Sequence, residues 1–249
     1  MPVPLFFLSS LKNLRKLQIE EPKATGSGFK YIAGLTNLEE FSYSPYDSGI
    51  ALSEHVQHLR GLKKLKRLTL RFCAGGSKGL DPIGELTNLE FLELYSCEIK
   101  SPSLIKINTL TKLRELRLSG AAVNSKDLAN LRAMTELRTL DIDRANVDLA
   151  GMRTISELRK LEALVLPGSV DDEALKPLSK MTSLKSLRFA GADEITNASM
   201  PVLGKLTKLE LLSIPPNVTG QGLKHLAGLT KLKRLEIQGD KIFFSEAME

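Results

Sequence analysis

Histidine and cysteine, which often serve as bases and nucleophiles in enzymes, are few in this sequence. The histidines are His55, His58 and His225, and the cysteines are Cys73 and Cys97. No serine or cysteine is spaced so that it would pair with one of these histidines as a nucleophile with its base. Two cysteines are also too few for a disulfide framework. We therefore expect no catalytic residues and no enzymatic activity.

Two other segments have residue types that could bind metal or phosphate. Asp141 and Asp143 alternate along one predicted strand, but they lack the loop spacing of a calcium site. The glycine-rich segment Gly75–Gly79 does not match the phosphate-binding G-x-x-x-x-G-K-[ST] pattern. We therefore expect neither a metal ion nor a cofactor.

Arginines, carboxylates and two aromatic residues are concentrated between positions 67 and 143. Exposed aromatics and arginines are enriched where proteins bind partners, and this chain has only 5% aromatic residues and no tryptophan. The alternative is a ladder of exposed ion pairs that only satisfy one another, each worth about 0–1 kcal/mol. Phe91 and Tyr95 favour binding. The predicted contact residues are Arg67, Arg71, Phe91, Glu93, Tyr95, Glu115, Arg117 and Asp143.

An internal repeat is expected to position these residues. Apolar residues with the same local pattern recur at steps of 23–27 residues, which is typical of stacked repeat architectures. About ten coils are visible, and together they predict a single domain over 1–249, with repeats at about 8–242 and terminal segments 1–7 and 243–249. The apolar strand positions are Leu17, Phe41, Leu68, Leu92, Leu116, Leu140, Leu164, Leu187, Leu212 and Leu235.

Each repeat predicts a short strand, a bend and a short helix. Leu116 and Leu118 alternate as in a strand, and the small Ala121 follows where the chain must bend. Leu128 and Leu131 are three residues apart, as one face of a helix requires. The segments SKDLANLRAM and DDEALKPLSKM begin with serine or aspartate, which often cap helix N-termini. Stacking such coils gives an α/β solenoid with parallel strands on one side and helices on the other.

The segment Leu89–Ile99 matches the pattern L-x-x-L-x-L-x-x-(N/C)-x-L, so the chain resembles the leucine-rich repeat family. The phrases Ala192–Asn197 and Gly222–Leu226 are most similar to its cysteine-containing subclass and to bacterial leucine-rich repeat proteins. The resemblance implies a curved, right-handed solenoid with a parallel sheet on its concave face and short helices on its convex face. It also implies a protein–protein interaction module or scaffold that binds an unidentified protein partner on the concave face.

The formal net charge of +6 leaves a second function open, because a basic surface permits anionic partners. The alternative is binding of an anionic ligand or nucleic acid through the basic Lys63–Arg71 region, which we favour less because basic residues are scattered elsewhere. No stretch has about 18 consecutive apolar residues, and no signal peptide is evident, so we expect a cytoplasmic protein without membrane contact. Neither end of the array has a polar cap, which predicts end-to-end self-association.

Overall fold

The computed structural model describes residues 5–21, 28–45, 50–74, 80–97, 99 and 103–238. The chain falls into two compact units. The first unit holds residues up to Val123 together with Ala133–Leu137, and the second holds Asn124–Arg132 and the chain from Arg138 onward. Within the described residues, ten parallel strands of the repeat follow one another along the chain, five in each unit.

The five repeat strands of the first unit pair in parallel in chain order, with the predicted strand positions opposite one another. Phe41 pairs with both Leu17 and Leu68, and Leu92 pairs with both Leu68 and Leu116. A separate parallel pair joins residues 50–51 of the second repeat to residues 73–74 of the third. In chain order, the strands of this unit are β1 (Lys16–Glu21), β2 (Glu40–Pro45), β3 (Ile50–Ala51), β4 (Arg67–Arg71), β5 (Cys73–Ala74), β6 (Phe91–Tyr95) and β7 (Glu115–Arg117), with β3 paired to β5.

Short helices connect the strands of the first unit. Each is a single turn or little more, because the chain must return to the next strand within about 24 residues. The α-helices are α1 (Phe29–Ile32), α2 (Leu52–His55) and α3 (Asp81–Gly84). The 3-10 helices are Leu5–Ser10, Val56–Leu59 and Ser103–Ile107.

The second unit repeats this arrangement with the same register between strand positions. Leu164 pairs with both Leu140 and Leu187, and Leu212 pairs with both Leu187 and Leu235. Its strands are β8 (Thr139–Asp141), β9 (Ala163–Pro167), β10 (Ser186–Ala190), β11 (Leu211–Ile214) and β12 (Arg234–Ile237). Its α-helices are α4 (Ser125–Leu128), α5 (Leu149–Ile155), α6 (Asp172–Leu175), α7 (Met200–Leu203) and α8 (Gly220–Leu223). The 3-10 helices are Ala129–Ala133, Lys176–Lys180, Asn197–Ser199 and Lys224–Leu226.

Leucine side chains form the core of each unit. Both leucines of a strand, such as Leu68 and Leu70, are fully buried between neighbouring coils, and so are Leu164 and Leu166 in the second unit. Burying one such side chain contributes about 1.5–3 kcal/mol. The predicted parallel strands and short helices are therefore confirmed, whereas the handedness of the solenoid stays a prediction.

The bends after β6 and β7 are closed by small buried residues, as the sequence predicts. Cys97 is fully buried, and its thiol donates to the Leu70 carbonyl oxygen at 3.4 Å. Ala121 is buried at the equivalent position of the next coil. The residues just before them, Ser96 and Gly120, have positive φ angles of 49° and 79°. A left-handed backbone is strained for most side chains, so the bend restricts which residues the chain accepts there.

The N-termini of several second-unit helices are capped by side chains. Asp171 caps α6 through the backbone N–H of Ala174 at 2.7 Å, which confirms the predicted cap. The predicted serine cap of α4 is wrong, since Asn124, one residue earlier, is the N-cap. Ser125 instead accepts a hydrogen bond from the backbone N–H of Asp148 at 3.0 Å. The helix begins one residue earlier than the sequence suggests, because asparagine caps at least as well as serine.

Asp148 caps α5 and makes the stability of the chain depend on pH. A hydrogen bond with Ser125, together with those from the backbone N–H groups of Gly151 and Ala150, holds the pKa of Asp148 below its usual value. Its stabilising contribution is therefore present above the unfolded pKa of about 3.9 and is lost as the pH falls through the lower folded value. Asp148→Asn keeps the capping oxygen but cannot titrate, so the stability advantage of the wild type should shrink in acid. Denaturation at neutral and acidic pH checks this, and a pH-independent difference would contradict it.

Candidate functional site

Three neighbouring strands of the first unit present side chains on the sheet face opposite to the core leucines. Strand register places Arg67 beside Phe91 and Phe91 beside Glu115. Two residues further along, Glu93 lies between Thr69 and Arg117. We call this surface the strand face of the first unit, and its residues are Arg67, Thr69, Arg71, Phe91, Glu93, Tyr95, Glu115, Arg117 and Ser119.

Glu93 is the centre of this surface. Its side chain is only 8% exposed, and one carboxylate oxygen accepts hydrogen bonds from Arg71 Nε at 2.8 Å and Arg71 Nη2 at 2.7 Å. The other oxygen lies 3.9 Å from Arg117 Nη1. Because a buried carboxylate needs compensating donors, Glu93 holds the Arg71 head in place and attracts Arg117 from the other neighbouring strand.

Phe91 is buried, although the sequence suggests an exposed aromatic residue. Only 6% of it is exposed, because the Arg67 guanidinium lies over its ring at 3.9 Å from the centroid. The Arg117 guanidinium lies 5.7 Å from the same centroid. These distances are typical of cation–π contacts. Phe91 therefore supports the arginines from beneath and is not itself available as a contact surface.

Tyr95 is the exposed aromatic residue of the strand face. It is 37% exposed, and the edge-to-face contact with Phe72 has a centroid separation of 5.4 Å. Phe72 itself adopts a positive φ of 53°, which is rare for a bulky residue. The Arg71 guanidinium lies 5.8 Å from the Tyr95 ring. Tyr95 is thus held by its neighbours while part of its ring remains open to solvent.

The charges on this surface are largely paired with one another. Arg117 contacts Glu115 on its own strand, with Nη2 and Nε at 2.5 Å and 2.7 Å from Oε1. Arg67 forms no ion pair within the described part of the chain. Three arginines and two glutamates give the strand face a net charge of +1. It can therefore offer guanidinium N–H donors and one aromatic ring to a partner.

Seven of the eight predicted contact residues thus lie together on this surface. The eighth, Asp143, lies in the second unit, where its backbone N–H donates to Asp141 Oδ1 at 3.3 Å. It is not part of the strand face of the first unit. A contact role for Asp143 stays a prediction.

The basic Lys63–Arg71 region is partly neutralised by nearby carboxylates. Lys63 Nζ lies 3.5 Å from Glu85 Oε2, and Lys66 Nζ lies 2.8 Å from Glu39 Oε2. The arginine at the end of this region contacts Glu93, as described above. Nothing in this geometry supports the alternative of an anionic-ligand or nucleic-acid site there.

A column of alternating charges, which the sequence interpretation missed, precedes the strands. In the first unit each member comes immediately before a strand, and ion pairs of 2.8–3.9 Å join Glu39 to both Arg15 and Lys66, and Glu90 to Arg114. In the second unit the corresponding ion pairs are all 2.7 Å long. Comparing the residues that lie two positions before the apolar strand positions would have revealed the alternation. The column consists of Arg15, Glu39, Lys66, Glu90 and Arg114 in the first unit and Arg138, Glu162, Lys185, Glu210 and Lys233 in the second.

These ion pairs shift the titration of their members. The hydrogen bond and charge of Lys66 lower the pKa of Glu39, and the same hydrogen bond raises the pKa of Lys66. In the second unit, a hydrogen bond from Lys185 lowers the pKa of Glu162. Opposite charges on adjacent strands disfavour a shift of one coil against its neighbour, because a shift would break the pairs. The column therefore serves the register of the strands.

Other residues considered from the sequence form no comparable site. His55 lies against the Phe29 ring, with 6.2 Å between centroids. Among the described residues, no three histidine, cysteine or acidic side chains are grouped closely enough to hold a metal ion. The side chain of Cys73 and the segment Gly75–Gly79 lie outside the described residues. Within the same described ranges, no helix is both long and apolar enough to cross a membrane.

Each unit also exposes apolar side chains in its outermost coil. In the first unit these are Phe6, Phe7 and Leu11, and in the second unit Leu235 is 42% exposed. The corresponding leucine of the preceding coil, Leu212, is fully buried. The predicted end-to-end self-association stays a prediction.

Known proteins match this chain in structure but not in sequence. No protein-family model matches it, and no curated protein sequence matches it significantly. The structure of an internalin (InlF) from Listeria monocytogenes is similar with a TM-score of 0.70 and 21% identity, over 94% of this chain and 71% of that one. Internalin C2 from the same organism gives a TM-score of 0.63 and 22% identity, over 86% and 84%.

A leucine-rich repeat protein of Leptospira interrogans is also similar, with a TM-score of 0.60 and 21% identity over 94% of this chain and 69% of that one. Identities this low bear on the fold and not on the activity. The similar structures are of leucine-rich repeat proteins, in agreement with the parallel strands, short helices and buried leucines described above. The chain has the leucine-rich repeat fold.

Proposed function

We propose that the chain is a protein-interaction module, without catalytic activity, whose first unit binds a protein partner on its strand face. The observation that carries this proposal is the exposed ring of Tyr95 beside two half-exposed arginines, Arg71 and Arg117, which Glu93 and Glu115 hold in place. Tyrosine and arginine are the residue types that most often dominate the energy of protein interfaces.

The arrangement lowers the entropic cost of binding. Long arginine side chains normally lose much rotamer freedom when a partner orders them. Arg71 is already fixed by Glu93, Arg117 by Glu115, and Arg67 lies over Phe91. Their guanidinium groups remain about half exposed, with 45% and 46% of the Arg71 and Arg117 side chains accessible. A partner with carboxylate or carbonyl oxygens around an apolar centre would fit this surface.

The competing interpretation is that the strand face is only a ladder of charges that satisfy one another. The ion pairs of Glu93 and Glu115 agree with both interpretations. The exposed ring of Tyr95 favours binding, because a ladder of ion pairs does not require an aromatic surface. The low aromatic content of the chain supports the same choice.

Tyr95→Ala tests this proposal without disturbing the core. A hot-spot tyrosine contributes about 2 kcal/mol or more to binding, so we expect at least about a 30-fold loss of affinity for a partner captured by the wild type. Phe91→Ala is less suitable because it would leave a cavity beneath Arg67. Surface plasmon resonance or calorimetry with the purified partner measures the change.

Ile105→Ala is the matched control for that measurement. Ile105 is a large apolar residue of the first unit with 46% exposure, but it lies in the 3-10 helix Ser103–Ile107 and not on the strand face. We expect it to bind like the wild type. If folded Tyr95→Ala binds the partner as tightly as the wild type does, the proposal is refuted.

A further inference from the structure

An open groove lies on the helix side of the second unit, away from the strands. Helix α5 packs against both α6 and the 3-10 helix Lys176–Lys180, and the groove follows this junction. Its volume is about 650 Å³, within the range of sites that bind small ligands or short peptide segments. Charged side chains of both signs line it, with Leu149 and Pro177 as apolar members.

The carboxylates of the groove are already neutralised. Glu157 Oε2 lies 2.9 Å from Arg132 Nε, which is not among the groove-lining residues. Glu173 pairs with Lys176 one helical turn away. Neither carboxylate is therefore left to neutralise the remaining cations of the groove.

Three cationic side chains of the groove have no ionic or hydrogen-bonding partner among the residues that the structure describes. Arg153, Arg159 and Lys180 are exposed, and none of their side chains forms an ion pair or hydrogen bond within the described ranges of the chain. Like charges held around one concave surface create a positive potential that attracts anionic groups. The groove thus has an excess of positive charge and unused N–H donors.

We infer that this groove binds an acidic peptide segment of a partner protein, independently of the strand face. Carboxylates of such a segment would pair with Arg153, Arg159 and Lys180, while its apolar atoms would lie against Leu149 and Pro177. A single-stranded nucleic acid fits less well. The groove lining has no aromatic side chain on which bases could stack. The regularly spaced phosphates of a nucleic acid would also approach Glu157 and Glu173.

Binding of a fluorescent, glutamate-rich peptide to the full chain tests this inference by anisotropy. We expect saturable binding that weakens with salt, and no binding of the peptide in which glutamine replaces every glutamate. The double variant Arg153→Gln with Lys180→Gln should bind the acidic peptide about tenfold more weakly, because two of the three ion-pairing groups are lost.

A matched double variant separates the groove from general charge effects. Lys205→Gln with Lys208→Gln removes the same charge from exposed positions of the second unit outside the groove. It should bind the acidic peptide nearly as well as the wild type. The inference is wrong if both double variants lose affinity equally, if the wild type does not bind the peptide, or if a thymidine oligonucleotide binds the groove more tightly than the peptide does.

Discussion

Gly84→Ala should destabilise the protein by about 1–3 kcal/mol, the usual cost of overpacking. Glycine-to-alanine changes normally stabilise helices, and Gly84 is the last residue of α3. Here, however, an added Cβ would lie 1.9 Å from the Lys106 carbonyl oxygen and 3.0 Å from its carbon. Both atoms belong to the backbone of the next coil, so a rotamer change cannot relieve the clash.

Two further glycines allow this prediction to be checked by urea denaturation. Gly204→Ala should be similarly destabilising in the second unit, because its Cβ would lie 2.2 Å from the His225 carbonyl oxygen. In Gly228→Ala the added Cβ meets no atom of the described residues within 4 Å, so the change should be neutral or stabilise by about 0.4–1 kcal/mol. An unchanged midpoint for Gly84→Ala would show that the helices of adjacent coils do not approach as closely as described.

Breaking the ion pair between Glu93 and Arg71 should have the second large effect on the free energy of unfolding. Hydrogen bonds to a charged group contribute about 1.5–3 kcal/mol, and the half-exposed Arg71 side chain reduces this through solvent screening. A double-mutant cycle with Glu93→Gln and Arg71→Gln should therefore give a coupling free energy of about 1–2 kcal/mol. Removing Arg71 alone should be the more harmful change, because it leaves a buried carboxylate with Arg117 at 3.9 Å.

The exposed pair Arg132–Glu157 is the control for this cycle. Its atoms are 2.9 Å apart, but both side chains are more than half exposed. The same cycle there should give about 0–1 kcal/mol. Equal coupling in the two cycles would mean that burial of Glu93 does not strengthen its ion pair, and that the arginines are not fixed as proposed.

The spacing of the leucines was enough to predict the strands, their register and the short helices. Each coil must bury its two strand leucines, which correspond to Leu116 and Leu118, against the neighbouring coils. The period of the leucines alone therefore constrains the architecture. The position of the α4 cap was missed by one residue, because Asn124 and Ser125 are both good capping residues. Only the backbone conformation distinguishes them.

The strand face was predicted in position but not in detail. Alternation along β4, β6 and β7 places Arg67, Phe91 and Glu115 on one face, which the sequence shows. Burial of Phe91 depends on the side-chain conformation of Arg67, which periodicity does not determine. The column of alternating charges, by contrast, was readable from the sequence. Its members precede the strands, so the alternation of residues within the strands does not indicate it.

The most direct test of the proposed function is to identify which surface a bound partner touches. A photo-crosslinking amino acid can replace Tyr95 in the full chain, with a parallel replacement of Ile105 as control. The proposal predicts that illumination links the partner to position 95 and not to position 105. Crosslinks from position 105 alone, or equal crosslinking from both positions, would contradict binding on the strand face of the first unit.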